Sequence, residues 1–227
     1  MSRILLITLF FLLSATSSVM AQQQFEITNA SQYFDIKISV ETCEEGSCRG
    51  KASFSFFKKG GTTPYQVITL PDTYISLDEQ GNPDVNISLL YDQQSVINIG
   101  DFNFDGMEDV AICNGANGSY GMPSYSVYLS NRAARKFVYD KRFSLLGTHL
   151  GMFEVNSDQK TLRTFDKSGC CYHVTEEFTV VNNAPQKVLE IIEDATIEDE
   201  SKVKITTKRL VNGKWKTEVK YETRDEE

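Results

Sequence analysis

The chain has 227 residues and is short of histidine, tryptophan and proline, with two, one and five of each. Any Ser-His-Asp arrangement must use His149 or His173. No G-x-S-x-G turn is present to carry its nucleophile. No Walker loop and no G-x-G-x-x-G fingerprint occurs, so phosphate-cradling chemistry has no seat. Carboxylates are plentiful, but no spacing singles out a glycosidase pair. The reading is therefore of a protein that binds and does not catalyse. Positive charge is also in deficit: 23 Lys and Arg stand against 31 Asp and Glu, for a formal net charge of -8. An acidic surface argues against nucleic acid and anionic membrane as partners and suits a basic protein.

Long apolar runs are missing except at the start, "MSRILLITLFFLLSATSSVMAQQQ". Arg3 precedes an apolar run from Ile4 to Leu13, and small residues lead to Val19-Met20-Ala21. The pattern predicts a secretory signal, residues 1–21, cut after Ala21. The run is shorter than the roughly 20 apolar residues that a membrane span needs. Removal of Arg3 with the signal takes the formal charge to -9. The expected product is one exported domain, 22–227, in the periplasm or outside the cell.

Five cysteines lie beyond that cleavage site: Cys43, Cys48, Cys113, Cys170 and Cys171. An oxidising compartment favours disulfides. "CEEGSC" predicts a Cys43–Cys48 bridge. Cys170 and Cys171 are adjacent, and either they bond to each other or one of them reaches Cys113. Zinc is the weaker reading, because histidines are few and no two C-x-x-C pairs exist.

Helical periodicity of any length is absent. "FDIKISV" alternates Phe34, Ile36, Ile38 and Val40 with Asp35, Lys37 and Ser39, the period-two signature of a sheet with one wet face. Similar short runs follow to the end, among them "NISLLY", "DVAIC", "SYSVYL", "TLRTF" and "VTEEFTVV". Turn residues separate them. "RLVNGKWKTEVKY" is the clearest hairpin, about 203–221, because Asn212-Gly213 can both take the positive φ of a type I′ turn. Many short strands predict an all-β fold built of antiparallel sheets, as a sandwich, barrel or propeller-like arrangement. No repeat fixes which.

"GDFNFDGMEDVAI", from Gly100 to Ile112, sits between two such runs. Asp101, Asn103, Asp105 and Asp109 occupy positions 1, 3, 5 and 9, with Gly106 at the bend and the Met107 carbonyl beside it. Calcium wants several oxygens at once, and a tight loop can converge these on one point. An acidic turn with no ion is the alternative. An EF-hand is excluded, because position 12 is Ile112 where a bidentate Glu is needed. Phe102 and Phe104 alternate with the acidic positions and can face the core.

D-x-[DN]-x-D-G-x-x-D between two strands resembles the calcium loop of FG-GAP repeats, found in integrin α propellers and many secreted bacterial proteins. The resemblance implies Asp101, Asn103, Asp105 and Asp109 as side-chain ligands of a structural Ca2+. One such loop occurs here, where a propeller would repeat it.

"DKSGCCYHVTEEF" contains Ser168-Gly169-Cys170-Cys171-Tyr172, which fits S-G-x-x-Y, the loop motif of bacterial periplasmic lysozyme inhibitors. An exported, acidic, β-rich chain with one FG-GAP-like loop and this motif resembles periplasmic immunity proteins that neutralise lysozyme-like effectors of bacterial secretion systems. The resemblance spans roughly Tyr91 to Val181 and the final hairpin. It implies a glycoside hydrolase as partner and a loop, Ser168–His173, inserted into its cleft. Ser168 would supply a hydroxyl, Gly169 close backbone approach, Tyr172 an aromatic plug and His173 a further donor. A flat or buried loop would favour another reading, a calcium-braced β module for adhesion or envelope assembly. "NGANGSYG", Asn114 to Gly121, is a Gly/Asn loop that could join the same rim through Tyr120.

Overall fold

A computed structural model describes residues 22–89 and 93–224. The signal predicted for 1–21 lies outside them, as does Tyr91. The described chain forms three antiparallel sheets that do not close into a barrel, and a sandwich-like arrangement fits them. The all-β, antiparallel expectation holds.

The first sheet contains β1 (Gln23–Ile27), β2 (Phe34–Glu44), β3 (Ser47–Lys58) and β4 (Pro64–Leu70) in that order, with β5 (Tyr74–Ser76) also paired to β3. The second runs β6 (Ile97–Gly100), β7 (Asp109–Cys113), β8 (Tyr125–Asn131) and β9 (Lys136–Tyr139). The third runs β10 (Glu154–Asn156), β11 (Thr161–Ser168), β12 (Tyr172–Val181), β13 (Ala184–Asp194), β14 (Lys202–Val211) and β15 (Lys214–Thr223). Apart from β5, which pairs with β3, each strand lies beside its neighbours in sequence, the arrangement that short turns permit.

Alternation sets the inner face of the first sheet. Ile36, Ile38 and Val40 of β2 face Phe56, Phe54 and Ala52 in turn across the ladder, and all six are buried. Fully burying one such side chain contributes roughly 1.5–3 kcal/mol. β7 breaks the alternation, because all five of its residues are buried. It is an interior strand covered on both faces, which is why "DVAIC" reads as a nearly continuous apolar run.

The sheets meet through aromatic and amide contacts. Phe137 of β9 lies 5.1 Å from the Phe56 ring and 5.4 Å from that of Phe34. The Gln66 side chain in β4 accepts from the Phe137 N–H at 2.7 Å and donates to the Phe137 carbonyl at 3.0 Å, taking the place of a strand neighbour. Leu162 and Phe178 carry the third sheet into the same hydrophobic cluster.

Two-residue loops with both residues at positive φ close three hairpins: Glu45-Gly46, Asn182-Asn183 and Asn212-Gly213. The last is the turn predicted above, and its hairpin extends to 202–223. The run "NISLLY" does not form a ladder strand: its described part makes isolated bridges such as Ser88 with Gln94. A six-residue helix, α1 (Lys141–Leu146), is too short for periodicity to show. Its start is set by Asp140, whose carboxylate caps the N–H groups of Arg142 and Phe143.

Candidate functional site

The acidic loop is the β6–β7 connection, with Gly100 opposite Asp109 in the ladder. Phe102 is buried and Phe104 packs against the core, as their alternation predicts. The polar side chains between them fold back onto the loop's own amides. Asp101 accepts from the Asp105 N–H at 2.9 Å and the Gly106 N–H at 2.8 Å. Asn103 Oδ1 accepts from that same Asp105 N–H at 3.2 Å. Asp105 Oδ1 accepts from the Met107 N–H at 3.0 Å. Asp101 and Asn103 thus share the Asp105 amide, and Asn103 Nδ2 donates to the Asp105 carboxylate at 3.1 Å. Gly106, at φ +84°, takes the left-handed bend that its position requires.

Asp109 differs from the other three. It is fully buried, with one oxygen on the Phe102 N–H at 2.9 Å and the other on the Ser130 N–H at 2.8 Å. Burial pushes its carboxyl up to about 7, against the pull of those two amides. Among the described residues, no three His, Cys, Asp or Glu side chains gather as a metal-holding group. The loop's set of donors is nevertheless all oxygen, the type a hard cation takes.

The loop also joins the three sheets. Glu108 accepts from Ser31 Oγ at 2.5 Å and the Gln32 N–H at 3.1 Å, between β1 and β2. Asn103 Nδ2 lies 3.5 Å from Asn183 Oδ1 in the β12–β13 turn. The Phe102 ring meets Phe153 edge-on at 5.4 Å. These long-range contacts have no sequence signal.

The S-G-x-x-Y motif is the tip of the β11–β12 hairpin. Ser168 pairs with Tyr172, and Gly169-Cys170-Cys171 form the loop. Ser168, Gly169 and Cys170 are exposed, whereas Cys171, Tyr172 and His173 are half-buried. Cys170 bonds to Cys171 and Cys43 to Cys48. The alternative of a bridge to Cys113 is corrected: that thiol is free and buried in β7, where its Sγ lies 3.6 Å from the Gly115 carbonyl.

The tip is supported from the side by the 114–124 loop. The Gly169 N–H donates to the Tyr120 hydroxyl at 2.6 Å. The Lys167 ammonium sits 5.2 Å from the Tyr120 ring centroid. Asp166 Oδ2 accepts from Ser119 Oγ at 3.1 Å and lies 3.2 Å from His149 Nδ1. Gly118 is held close, since a Cβ there would meet the His149 carbonyl oxygen at 2.6 Å. Tyr120 itself is 63% exposed and in left-handed backbone conformation. Lys167, Ser168, Gly169, Cys170 and Tyr120 therefore share one rim.

Of the motif residues, Ser168, Gly169 and Tyr172 stay together at the tip. His173 turns to the opposite sheet face, where its ring stacks 5.6 Å from Phe165 and Nδ1 lies 3.8 Å from Glu193. Tyr120 and Asp166 are the supports that the motif alone does not reveal.

The chain is similar to a solved structure described as a Xanthomonas type IV secretion system related protein, with TM-score 0.66 and 25% identity over 86% of this chain and 92% of that one. No protein-family model and no curated protein sequence matches the chain. Among the described residues no helix is long and apolar enough to cross a membrane.

Proposed function

We propose that this is an exported inhibitor, or immunity protein, that blocks a lysozyme-like peptidoglycan hydrolase by inserting the β11–β12 tip into its cleft. The observation that carries the reading is the tip itself: an exposed Ser168-Gly169-Cys170 apex that a second loop braces, through Tyr120 on the Gly169 N–H and Ser119 on Asp166. The likeness to a protein related to a type IV secretion system agrees with a role against secreted effectors.

A lysozyme cleft presents two carboxyl groups flanking the scissile bond. Ser168 Oγ and the tip backbone offer hydrogen-bond donors to them. Gly169 admits close approach, and the aromatic faces of Tyr120 and Tyr172 exclude the glycan. The Cys170–Cys171 link and the Tyr120 hydrogen bond order the loop before binding, which reduces the entropy lost on association. Binding, and not catalysis, is the activity proposed.

A calcium ion belongs to the same proposal. Asp101, Asn103, Asp105 and Asp109, with the Met107 carbonyl, would hold it, and its charge would offset carboxylates that otherwise repel. Its role would be to brace the junction of the three sheets. Terbium luminescence and a calcium-dependent rise in melting temperature test it, and Asp101→Ala should abolish both.

The inhibition test is lysis of peptidoglycan by a panel of lysozymes, with and without the purified protein. Slowing of at least one hydrolase, lost in Tyr172→Ala at unchanged melting temperature, supports the reading. The second reading, an adhesion or assembly module, rests on the half-burial of Tyr172 and His173. It gains if no hydrolase is slowed.

A further inference from the structure

β15 is the outermost strand of the six-stranded sheet, and β14 is its ladder partner. All ten of its residues are exposed. It contains no proline, and its pairing with β14 runs without a register shift from Lys202–Thr223 to Val211–Lys214. A long regular edge strand leaves a row of backbone donors and acceptors ready to pair. Charged side chains commonly guard such an edge, so what decides its use is the pattern of the charges.

That pattern is poorly matched to the strand's own sheet. Lys216 stands opposite Arg209, Lys220 opposite Ile205, Glu218 opposite Thr207 and Glu222 opposite Val203. No residue directly opposite any of the four in β14 carries the opposite charge, and Arg209 reaches Glu218 only as a diagonal neighbour. Glu218 and Lys220 approach each other along the strand at 3.5 Å, both largely exposed.

The pattern is well matched to itself. In an antiparallel pairing of two copies about a two-fold axis at Val219, Lys220 of one copy faces Glu218 of the other, and Lys216 faces Glu222. Each contact occurs twice. On the other face Val219 meets Val219, Thr217 meets Tyr221, and Trp215 meets Thr223 with Tyr221 as its diagonal neighbour, within reach of an aromatic ring. Shifting the axis to Glu218 sets Lys216 against Lys220 and Glu218 against itself. Shifting it to Thr217 sets Lys214 against Lys220, and to Lys220 sets Glu218 against Glu222. Of these registers, the one centred on Val219 alone opposes every charge within Trp215–Thr223 by its opposite. Trp215, Val219 and Tyr221, exposed at 47%, 46% and 60%, line the face that this register would cover in part.

We propose that the protein forms a two-fold dimer through β15, joining two six-stranded sheets into one continuous sheet with Val219 at the axis. The surface lies on a different strand from the hairpin tip, so the dimer stands or falls independently of the inhibitor reading.

The test is sedimentation equilibrium of the purified protein over a range of concentrations and salt. A monomer–dimer equilibrium that weakens with salt is expected. Glu218→Lys places two lysine–lysine contacts at the axis and should weaken the dimer at least about tenfold, since two favourable pairs become two repulsive ones. The double variant Glu218→Lys/Lys220→Glu restores opposition of charge and should recover the dimer. Circular dichroism of these exposed-site variants verifies that the fold is intact. A monomer into the high micromolar range, or a dimer indifferent to Glu218→Lys, overturns the proposal. So does a double variant that stays as weak as the single.

Discussion

Asp109 is a buried carboxyl that titrates near neutral pH. A carboxyl whose folded-state value is raised to about 7 from 3.8 stabilises the fold fully below the lower value. That contribution is lost as pH rises through the upper one. In calcium-free protein this is on the order of 4 kcal/mol. Chemical denaturation at acid and at mildly alkaline pH should show the decline, and Asp109→Asn should flatten it. If the loop binds calcium, saturating calcium should remove the decline in the wild type. Tyr120→Phe belongs to the same scale. It deletes the acceptor for the Gly169 N–H, a bond of roughly 0.5–1.5 kcal/mol. Inhibition should weaken several-fold with little change in melting temperature. The spacing of Asp101, Asn103, Asp105 and Asp109 was legible in the sequence because all four lie on one short loop. The Tyr120–Gly169 and Ser119–Asp166 contacts were not, because their partners are 49 and 47 residues apart and nothing local reports the meeting.

Hairpins are the elements in which local chemistry decided most. Asn212-Gly213 took the turn geometry expected of it. Glu45 takes the same left-handed conformation without being a favoured residue for it. There the Cys43–Cys48 bridge lies directly across the ladder and holds the turn. Replacing both cysteines with serine should cost about 2 kcal/mol by loop-closure entropy, read as a lower denaturation midpoint in the purified protein. Helix α1 escaped notice because six residues make less than two turns, too few for a 3.6-residue period to show. Its cap, however, is a local signal: Asp140→Ala should cost roughly 0.5–2 kcal/mol, because two amides lose their acceptor. The β11–β12 hairpin shows the limit of motif reading. Alternation along the strand sends Tyr172 and His173 to opposite faces, so the string Ser168–His173 does not act as one surface.

On the scale of the whole molecule, strand content and the antiparallel order followed from period-two patterns and short turns. The grouping into three sheets did not, because it rests on contacts such as Gln66 with Phe137 and Glu108 with Ser31 that span more than 70 residues. Net charge also acts at this scale. A formal charge of -8, or -9 once the predicted signal is removed, should speed association with a basic hydrolase at low salt, with the on-rate falling as ionic strength rises and the off-rate little changed. Surface-plasmon or stopped-flow kinetics against such a hydrolase would show it. The central claim is that a braced hairpin tip occludes a sugar-cleaving cleft. Its most direct measurement is a titration of peptidoglycan hydrolysis by a panel of purified lysozymes against wild type and Tyr172→Ala. The account predicts stoichiometric loss of activity for at least one hydrolase with wild type and a large loss of potency in the variant. Hydrolysis unchanged across the panel, or a variant as potent as wild type, would contradict it.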